Sequence, residues 1–167
     1  MDVPFHSSGA MSRAHYAIVR KVESSPSTQS ADQDLFLEIK SIQAQLSHHR
    51  LSTEKCKECL VILLYCATSV SPGFLAEGAF DFAFPHAINL AATTKKNEEK
   101  RIGYLFCSEI MPTGHELRLM LINTLLKDLE SEDVRRVCLA LDNLITSPNE
   151  DVIPAVQSRL HDLLSHE

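Results

Sequence analysis

The sequence predicts an all-α protein in which helical hairpins stack into an α-solenoid. Apolar residues recur at helical spacing along most of the 167 residues. Residues that break helices are scarce, with five Gly and seven Pro, which favours long elements over many short turns. The last four helical segments form two hairpins at an offset of about 35 residues, within the range of helical-repeat proteins.

Composition and charge limit the class of protein. Hydrophobic residues make up 44% and charged residues 23% of the chain, as in ordinary soluble domains. The net charge of −6 argues against general nucleic-acid binding, which needs a dense basic surface. No apolar run approaches the roughly 20 residues that cross a bilayer, and no signal-peptide pattern is present. Five cysteines are therefore expected to be reduced thiols in a cytoplasmic protein.

The first part of the chain predicts a flexible tail over residues 1–11, followed by two helices. The first helix is expected over residues 12–22, and a polar linker follows over residues 23–30. Ser30 and Gln33 fit a capping box at the start of the second helix. The apolar residues of that helix follow at helical spacing: Leu35, Ile39, Ile42 and Leu46.

The third helix is predicted to begin after Ser52, which fits an N-cap. Its apolar residues cover more than one side: Cys59, Leu60, Leu63, Leu64 and Ala67. A loop is expected over residues 70–78, and the helical pattern returns over residues 79–92. Within that second stretch, Pro85 either starts a new helix or kinks the existing one.

The last third of the chain is the most regular. A helix is expected over residues 97–111, and Thr113 with Glu116 fits a capping box for the next one, over residues 117–129. Ser131 is expected to cap a further helix. The stripe of that helix comprises Val134, Val137, Cys138, Leu141, Leu144 and Ile145. The final stripe comprises Val152, Val156, Leu160 and Leu163.

These helices pair as hairpins of the HEAT/armadillo kind. Residues 102–110 and 137–145 are equivalent first helices, and residues 117–129 and 152–164 are equivalent second helices. A four-helix bundle is the alternative, which about seven short helices fit poorly. Because a terminal repeat normally has a polar outer face, the apolar final helix indicates that the solenoid over residues 12–167 is truncated or needs a partner there.

No residue pattern points to catalysis, a metal or a cofactor. Cys56 and Cys59 have the spacing of half a zinc site, but no second cysteine pair exists, and their helical setting favours small core residues. The spacing of Ser52 and Lys55 matches a serine-acylase motif whose other parts are missing, and a helix cap explains it. We therefore predict a protein without enzymatic activity that works by binding.

Two basic groups are candidate contacts for an anionic lipid or a protein partner. The residues are Arg50, Lys55 and Lys57 in the first group, and Lys95, Lys96, Lys100 and Arg101 in the second. If a solenoid brings successive helix starts together, they form one basic edge, worth roughly 1 kcal/mol per basic residue at an anionic membrane. The alternative is an ordinary solvated helix end, where Glu98 and Glu99 dilute the charge.

Residues 100–110, KRIGYLFCSEI, resemble a motif of the adaptins, the large subunits of the adaptor-protein complexes that build vesicle coats. The segment HELRLMLINTLLKDLES over residues 115–131 is similar to a Leu-rich adaptin segment, and VCLAL at 137–141 and IPAV at 153–156 extend the likeness. These last details are most similar to epsilon-type large subunits of the fourth adaptor complex, and gamma-type and alpha-type large subunits are close alternatives. The stretch over residues 70–84 departs from the family pattern.

The resemblance implies the N-terminal trunk of a coat subunit that acts in vesicle-mediated intracellular protein transport. The implied partners are a second large chain, a medium chain, a small chain, an Arf-type small GTPase and a phosphoinositide membrane surface at the trans-Golgi network or endosomes. A phosphoinositide-binding cluster of alpha-type members matches the region of Lys55 and Lys57, where Glu54, Cys56 and Glu58 intervene. The alternative is a stand-alone helical-repeat module that binds a peptide or a small GTPase.

Overall fold

The computed structural model describes residues 12–48, 51–148 and 150–165. Within these ranges the chain contains helices and turns and no strand, which confirms the predicted all-α class. The predicted tail over residues 1–11 lies outside the described residues. The helices are α1 (Arg13–Glu23), α2 (Thr28–Leu46), α3 (Thr53–Ser69), α4 (Phe84–Thr93), α5 (Asn97–Ile110), α6 (Arg118–Leu129), α7 (Val134–Thr146) and α8 (Ile153–Leu164), with 3-10 turns at Asp81–Ala83 and Glu150–Val152.

The chain divides into two compact units, residues 1–83 and residues 84–167. In the first unit α1, α2 and α3 pack on one another. Their buried apolar residues are Ile18 of α1, Leu35, Ile39, Ile42 and Leu46 of α2, and Cys59, Leu60, Ile62, Leu63 and Cys66 of α3. The predicted inner face of α2 is therefore confirmed, and α3 is buried on more than one side, as its sequence predicts.

Two of the predicted starts in this unit are confirmed and one is wrong. The Ser12 and Ser52 hydroxyls cap α1 and α3 by accepting hydrogen bonds from the backbone N–H three residues later. The predicted cap at Ser30 is wrong, because α2 already begins at Thr28. Ser27 is the cap, and its hydroxyl accepts the N–H of Ser30 at 3.1 Å.

The predicted caps of α6 and α7 are also wrong. Leu117 is the N-cap of α6 and has no side-chain cap bond, and its own N–H donates to Nδ1 of His115 at 3.2 Å. The Thr113 and Glu116 pair therefore makes no capping box. At α7 the cap is Asp133 instead of Ser131, since its carboxylate accepts the N–H of Arg135 at 3.0 Å.

The second unit is organised around a close crossing of α4 and α5. A Cβ atom added at Gly103 of α5 would clash with the carbonyl oxygen of Ala87 and lie 2.9 Å from the backbone nitrogen of Ala91. Glycine therefore lets the two helix backbones approach. Pro85 lies in the first turn of α4, which decides between the two predicted alternatives: a new helix starts there.

The consecutive helices that pack most closely in this unit are α4 with α5 and α6 with α7, whereas the sequence pairs α5 with α6 and α7 with α8. Helices α5 and α7 lie side by side and run parallel: Asn97 Nδ2 is 3.5 Å from Asp133 Oδ2 at one end. At the other end, Asn143 Nδ2 donates to Ser108 Oγ at 2.6 Å across 35 positions. The predicted repeat of about 35 residues is therefore confirmed within this unit.

Candidate interaction surfaces

The first basic group lies at the start of α3, and its charge is locally compensated. Lys55 Nζ is 2.5 Å from Glu58 Oε2. This hydrogen bond raises the pKa of Lys55, although burial works against it. Lys57 is half-buried. Arg50, which is predicted to belong to the same group, lies outside the described residues.

Glu58 is fixed as the partner of Lys55. Burial alone acts to raise the pKa of this carboxyl, but hydrogen bonds from Lys55 and Ser12 outweigh it and hold the pKa below its usual value. Glu58 therefore stays ionised at neutral pH. The cation of Lys55 has an anionic neighbour within its own helix, which weakens its attraction for an external anion.

The second basic group lies at the start of α5, where three of its four members are exposed. Lys95, Lys96 and Arg101 all face solvent. Lys96 Nζ forms an ion pair of 3.1 Å with Glu99 Oε1. The Lys96 side chain is 66% exposed, but that of Glu99 is only 5% exposed. The ammonium of Lys96 is therefore accessible to solvent while it is paired with a buried carboxylate.

The fourth member, Lys100, is not at the surface, and the prediction that it contacts a lipid or partner is wrong. Its side chain is only 2% exposed. The ammonium lies 2.8 and 3.0 Å from the two carboxylate oxygens of Asp128 in α6 and donates to the carbonyl oxygen of Ala91 in α4. Lys100 therefore joins three helices from within the core.

Tyr104 completes this buried cluster. Its hydroxyl donates to Asp128 Oδ2 at 2.5 Å. Burial, and then the hydrogen bond to Asp128, raise the pKa of Tyr104. A pattern that sequence reasoning missed points to this arrangement: Lys100, Gly103, Tyr104 and Cys107 share one helical face, and that face is buried.

The two basic groups belong to different compact units. Lys55 and Lys57 lie in the first unit, and Lys95, Lys96 and Arg101 lie in the second. Each is a small cluster at the start of one helix. Their union into a single basic edge stays a prediction.

The thiols of Cys56 and Cys59 are poorly suited to metal binding or redox exchange at neutral pH. Burial raises the pKa of Cys56 to about 11, and burial also raises the pKa of Cys59. Both thiols are therefore protonated at neutral pH, whereas metal ligation and redox exchange use the thiolate. Across the described parts of the chain, no three His, Cys, Asp or Glu side chains are grouped so that they could hold a metal ion.

A shallow groove runs between α5 and α7. It consists of two adjoining cavities of about 120 and 370 Å³, which share Arg101, Leu139 and Asp142 as lining residues. A separate cavity of about 440 Å³ lies between α7 and α8, and its lining is mainly apolar, including Leu144, Val156 and Leu160. None of the described helices is long and apolar enough to cross a membrane.

Helical hairpins that recur at a fixed offset and pack side by side define a helical-repeat protein. The family model for the adaptin N terminal region matches residues 37–167. The chain therefore belongs to the adaptin N-terminal family, a helical solenoid-type domain. This membership confirms the resemblance carried by residues 100–110 and the segments that follow.

Curated relatives narrow the likeness to one type of subunit. The chain is 34% identical over 149 residues to the mouse AP-4 complex subunit epsilon-1, which covers 89% of this chain and 13% of the relative. The human protein of the same name is 34% identical over 150 residues, covering 90% and 12%. The Dictyostelium discoideum AP-4 complex subunit epsilon is 31% identical over 156 residues, covering 91% and 13%. The chain thus spans about an eighth of the length of these relatives.

Proposed function

We propose that this chain is a non-enzymatic part of a large subunit of a vesicle-coat adaptor complex of the AP-4 type, acting in vesicle-mediated intracellular protein transport. The observation that carries the proposal is its likeness to AP-4 epsilon subunits along about nine-tenths of its length. Its partners are then a second large chain, a medium chain and a small chain. Its place of action is the cytoplasmic face of the trans-Golgi network or endosomes.

The structure is consistent with a role that depends on surfaces. The buried Lys100 cluster joins α4, α5 and α6, and such fully paired buried networks hold packed helices in one arrangement. The exposed cations at the start of α5 and the groove beside α7 are then presented on a fixed framework. A helical-repeat subunit binds its partners through extended surfaces of this kind.

Co-purification tests the assembly directly. The tagged chain is co-expressed with the second large, medium and small chains of an AP-4 complex, and captured proteins are identified by mass spectrometry. We expect at least one of the three chains to be captured at near-equal stoichiometry. The corresponding chains of a different adaptor complex serve as the specificity control. Capture of none of them by a chain that is helical by circular dichroism would contradict the proposal.

The recruitment step that we propose uses the exposed basic residues. Lys95, Lys96 and Arg101 are placed to attract anionic phosphoinositide headgroups, while Lys55 and Lys57 form a weaker site because of Glu58. An Arf-type small GTPase is the second recruiting partner. The two basic groups contribute additively if each contacts the membrane by itself.

Liposome flotation with a matched charge control tests this step. The double variant Lys95→Glu with Lys96→Glu is compared with Arg20→Glu with Lys127→Glu, which changes the net charge equally at other exposed positions. At about 1 kcal/mol per basic residue, the first pair should weaken binding to phosphoinositide vesicles by roughly 30-fold. The control pair should change it little. Equal loss in both variants would indicate general electrostatic attraction without a site.

The groove between α5 and α7 supports a second candidate, a module that binds a peptide or a small GTPase without coat subunits. Its largest cavity, about 370 Å³, is within the size range of ligand sites. Capture of a peptide partner by the purified chain, lost on Arg101→Glu, would favour this candidate. Loss of coat-subunit capture on the same substitution would instead place the groove in the adaptor assembly.

A further inference from the structure

Helix α7 carries an apolar stripe that the described residues of its unit leave largely exposed. The stripe consists of Val134, Cys138, Leu141 and Ile145. Val134 is 71% exposed and Ile145 77% exposed, Cys138 is exposed, and Leu141 is half-buried. The spacing of four, three and four residues is that of a coiled-coil seam, so these side chains form one continuous ridge.

The ridge lies on the outer side of α7, away from the positions that pack inward. Asn143 is hydrogen-bonded to Ser108 of α5, and Ala140 is fully buried. With 3.6 residues per turn, the four stripe positions lie within about 60° of one another and roughly opposite Ala140 and Asn143. Val134 and Cys138, in the first half of the ridge, also line the groove between α5 and α7. The ridge is therefore open to a second helix on the outer side of α7, along the edge of that groove.

The two flanks of the ridge differ in chemistry. Arg135 and Asp142 lie seven residues apart on one flank, and both are exposed. Val137 and Leu144 lie seven residues apart on the other flank, and both are half-buried. One flank thus carries a positive charge near its N-terminal end and a negative charge near its C-terminal end, and the other flank is apolar. A partner helix can match these charges in one direction only.

We propose that this ridge pairs with the same ridge of a second copy of the chain, in an antiparallel dimer with two-fold symmetry. In such a pair each flank meets its own counterpart in reverse order. Arg135 then lies beside the partner's Asp142, and the contact occurs twice. Along the seam Val134 meets the partner's Ile145, and Cys138 meets the partner's Leu141. This pairing goes beyond the proposed adaptor function and does not require it.

The matching of charged and apolar flanks favours antiparallel pairing of two α7 ridges over parallel pairing. In a parallel pair the charged flank of one helix lies against the apolar flank of the other, so Arg135 would face Val137 or Leu144. The present ion pair of Arg135 with Asp133 costs little to exchange, because the Arg135 side chain is 82% exposed.

Sedimentation or light scattering across a concentration series tests the dimer. We expect the 18.6 kDa chain to approach twice its monomer mass. Ile145→Glu should raise the dimer Kd about 100-fold, since each dimer loses two buried side chains and gains two carboxylates. Leu119→Glu in α6 and Leu164→Glu in α8 are the controls, because their side chains are 74% and 88% exposed outside the ridge. Equal loss in a control would overturn the assignment to α7.

A charge-swap cycle tests the antiparallel register. Arg135→Glu and Asp142→Arg should each weaken the dimer, because each places like charges side by side. The double variant should restore it, since the same two positions then carry opposite charges again, in exchanged order. A negative charge at position 135 and a positive charge at position 142 are both favourable for the helix dipole of α7, so we expect the double variant to fold. Failure of the double variant to recover dimerisation would overturn the register.

Thiol cross-linking supplies an independent distance test. All five cysteines lie among the described residues, and only Cys138 is exposed. A short bis-maleimide should therefore join two chains through Cys138, near the two-fold axis, and Cys138→Ser should abolish the product. Absence of the cross-link in a chain that is dimeric by mass would overturn the proposed seam.

The other occupants are distinguishable from a second copy. A chain that stays monomeric at every concentration, or that forms open-ended oligomers, overturns the proposal. If the chain is monomeric and Ile145→Glu abolishes capture of the coat chains, the ridge belongs to the adaptor assembly instead. If dimerisation behaves as expected but no coat chain is captured, the dimer stands and the proposed function fails.

Discussion

Helices α5 and α7 occupy the same position in successive hairpins but differ sharply in burial. α5 is 14 residues long and buries six of them, including Lys100, Tyr104 and Phe106. α7 is 13 residues long and buries only Ala140 and Asn143. The apolar stripe of α7 is at least as regular as that of α5. An amphipathic pattern therefore predicts a helix with an apolar face, and it does not predict whether that face is covered.

The difference follows from the neighbours. α5 lies between α4 and α7 and is tied to α6 through Asp128. α7 contacts α5 and α6 and presents its remaining face outward. Substitutions in α5 should consequently act on the stability of the single chain, whereas substitutions on the ridge of α7 should act on association. Four predictions rank these effects from the largest to the smallest.

The largest effect is expected at Lys100. Replacing it with Met keeps the apolar stem but leaves the Asp128 carboxylate buried without its cation. Removing one partner of a buried ion pair destabilises a protein by about 3–5 kcal/mol. Urea denaturation followed by circular dichroism measures the free energy of unfolding. Arg101→Met is the matched control, because Arg101 is the next residue and is exposed, and it should change stability by less than about 0.5 kcal/mol.

The double variant Lys100→Met with Asp128→Leu tests whether the loss comes from the stranded charge. It removes both ions and should recover a large part of the stability, because replacing a buried pair by apolar residues is often neutral or stabilising. A double variant as unstable as Lys100→Met alone would show that packing at Asp128, with its bond from Tyr104, matters more than charge.

The next effect is expected at Gly103, where α4 and α5 approach. Ala at this position places its methyl group against backbone atoms of Ala87 and Ala91, which cannot move as a flexible side chain can. Overpacking of this kind costs about 1–3 kcal/mol. Gly114→Ala is the control, since nothing lies within 4 Å of its added Cβ. Comparable losses at the two glycines would argue that helix propensity and loop entropy, not the α4–α5 contact, decide the result.

A smaller effect, a pH dependence of the unfolding free energy, is expected at His15 of α1. Among the described residues, its imidazole is buried without an ion pair of the kind that Lys100 makes with Asp128. His15 is 6% exposed, its Nδ1 has no hydrogen-bond partner within the described residues, and its ring meets Tyr65 edge-on at 5.4 Å. Burial lowers its pKa below 6.5. The unfolded chain therefore binds the proton more readily, and stability should fall as the pH drops below 6.5 through the lower pKa of the folded state.

His15→Phe isolates this contribution. The ring contact with Tyr65 is kept and the titrating group is removed, so the decline in unfolding free energy between pH 6.5 and pH 5 should become shallower than in the wild type. Leu164→Ala in α8, where the side chain is 88% exposed and does not titrate, is the control and should leave the slope unchanged. If both variants follow the wild-type curve, the burial of His15 carries no pH dependence.

The sequence predicts the helices better than it predicts their surroundings. The inner face of α2 follows from the spacing of Leu35, Ile39, Ile42 and Leu46, because a periodic pattern is a property of one segment. The caps at Ser30 and Ser131 are wrong for a local reason: a nearby Ser27 or Asp133 accepts the first backbone donors of the helix instead. Competing caps within one turn cannot be separated from residue type alone.

The candidate site is predictable only in part, because a charged residue in the sequence does not indicate whether its side chain lies at the surface or in the core. Lys95, Lys96 and Arg101 lie at the surface as expected, whereas Lys100 lies in the core. Its partner Asp128 is 28 positions away, and only the tertiary fold, in which α4 packs on both α5 and α6, brings them together. The same limit applies to the α7 stripe, whose exposure depends on what lies beside it.

The smallest effect on the single chain is expected on the ridge. Ile145→Ala should change the unfolding free energy of dilute protein by less than about 0.5 kcal/mol, because the side chain is 77% exposed. Ile122→Ala in α6, where the side chain is 6% exposed, should cost about 2–5 kcal/mol. At high protein concentration the Ile145→Ala cost should grow, because association stabilises the folded state by mass action and only the dimer buries this residue. A cost that is large already in dilute protein would make Ile145 part of the core of its own chain, and the contrast between α5 and α7 would then disappear.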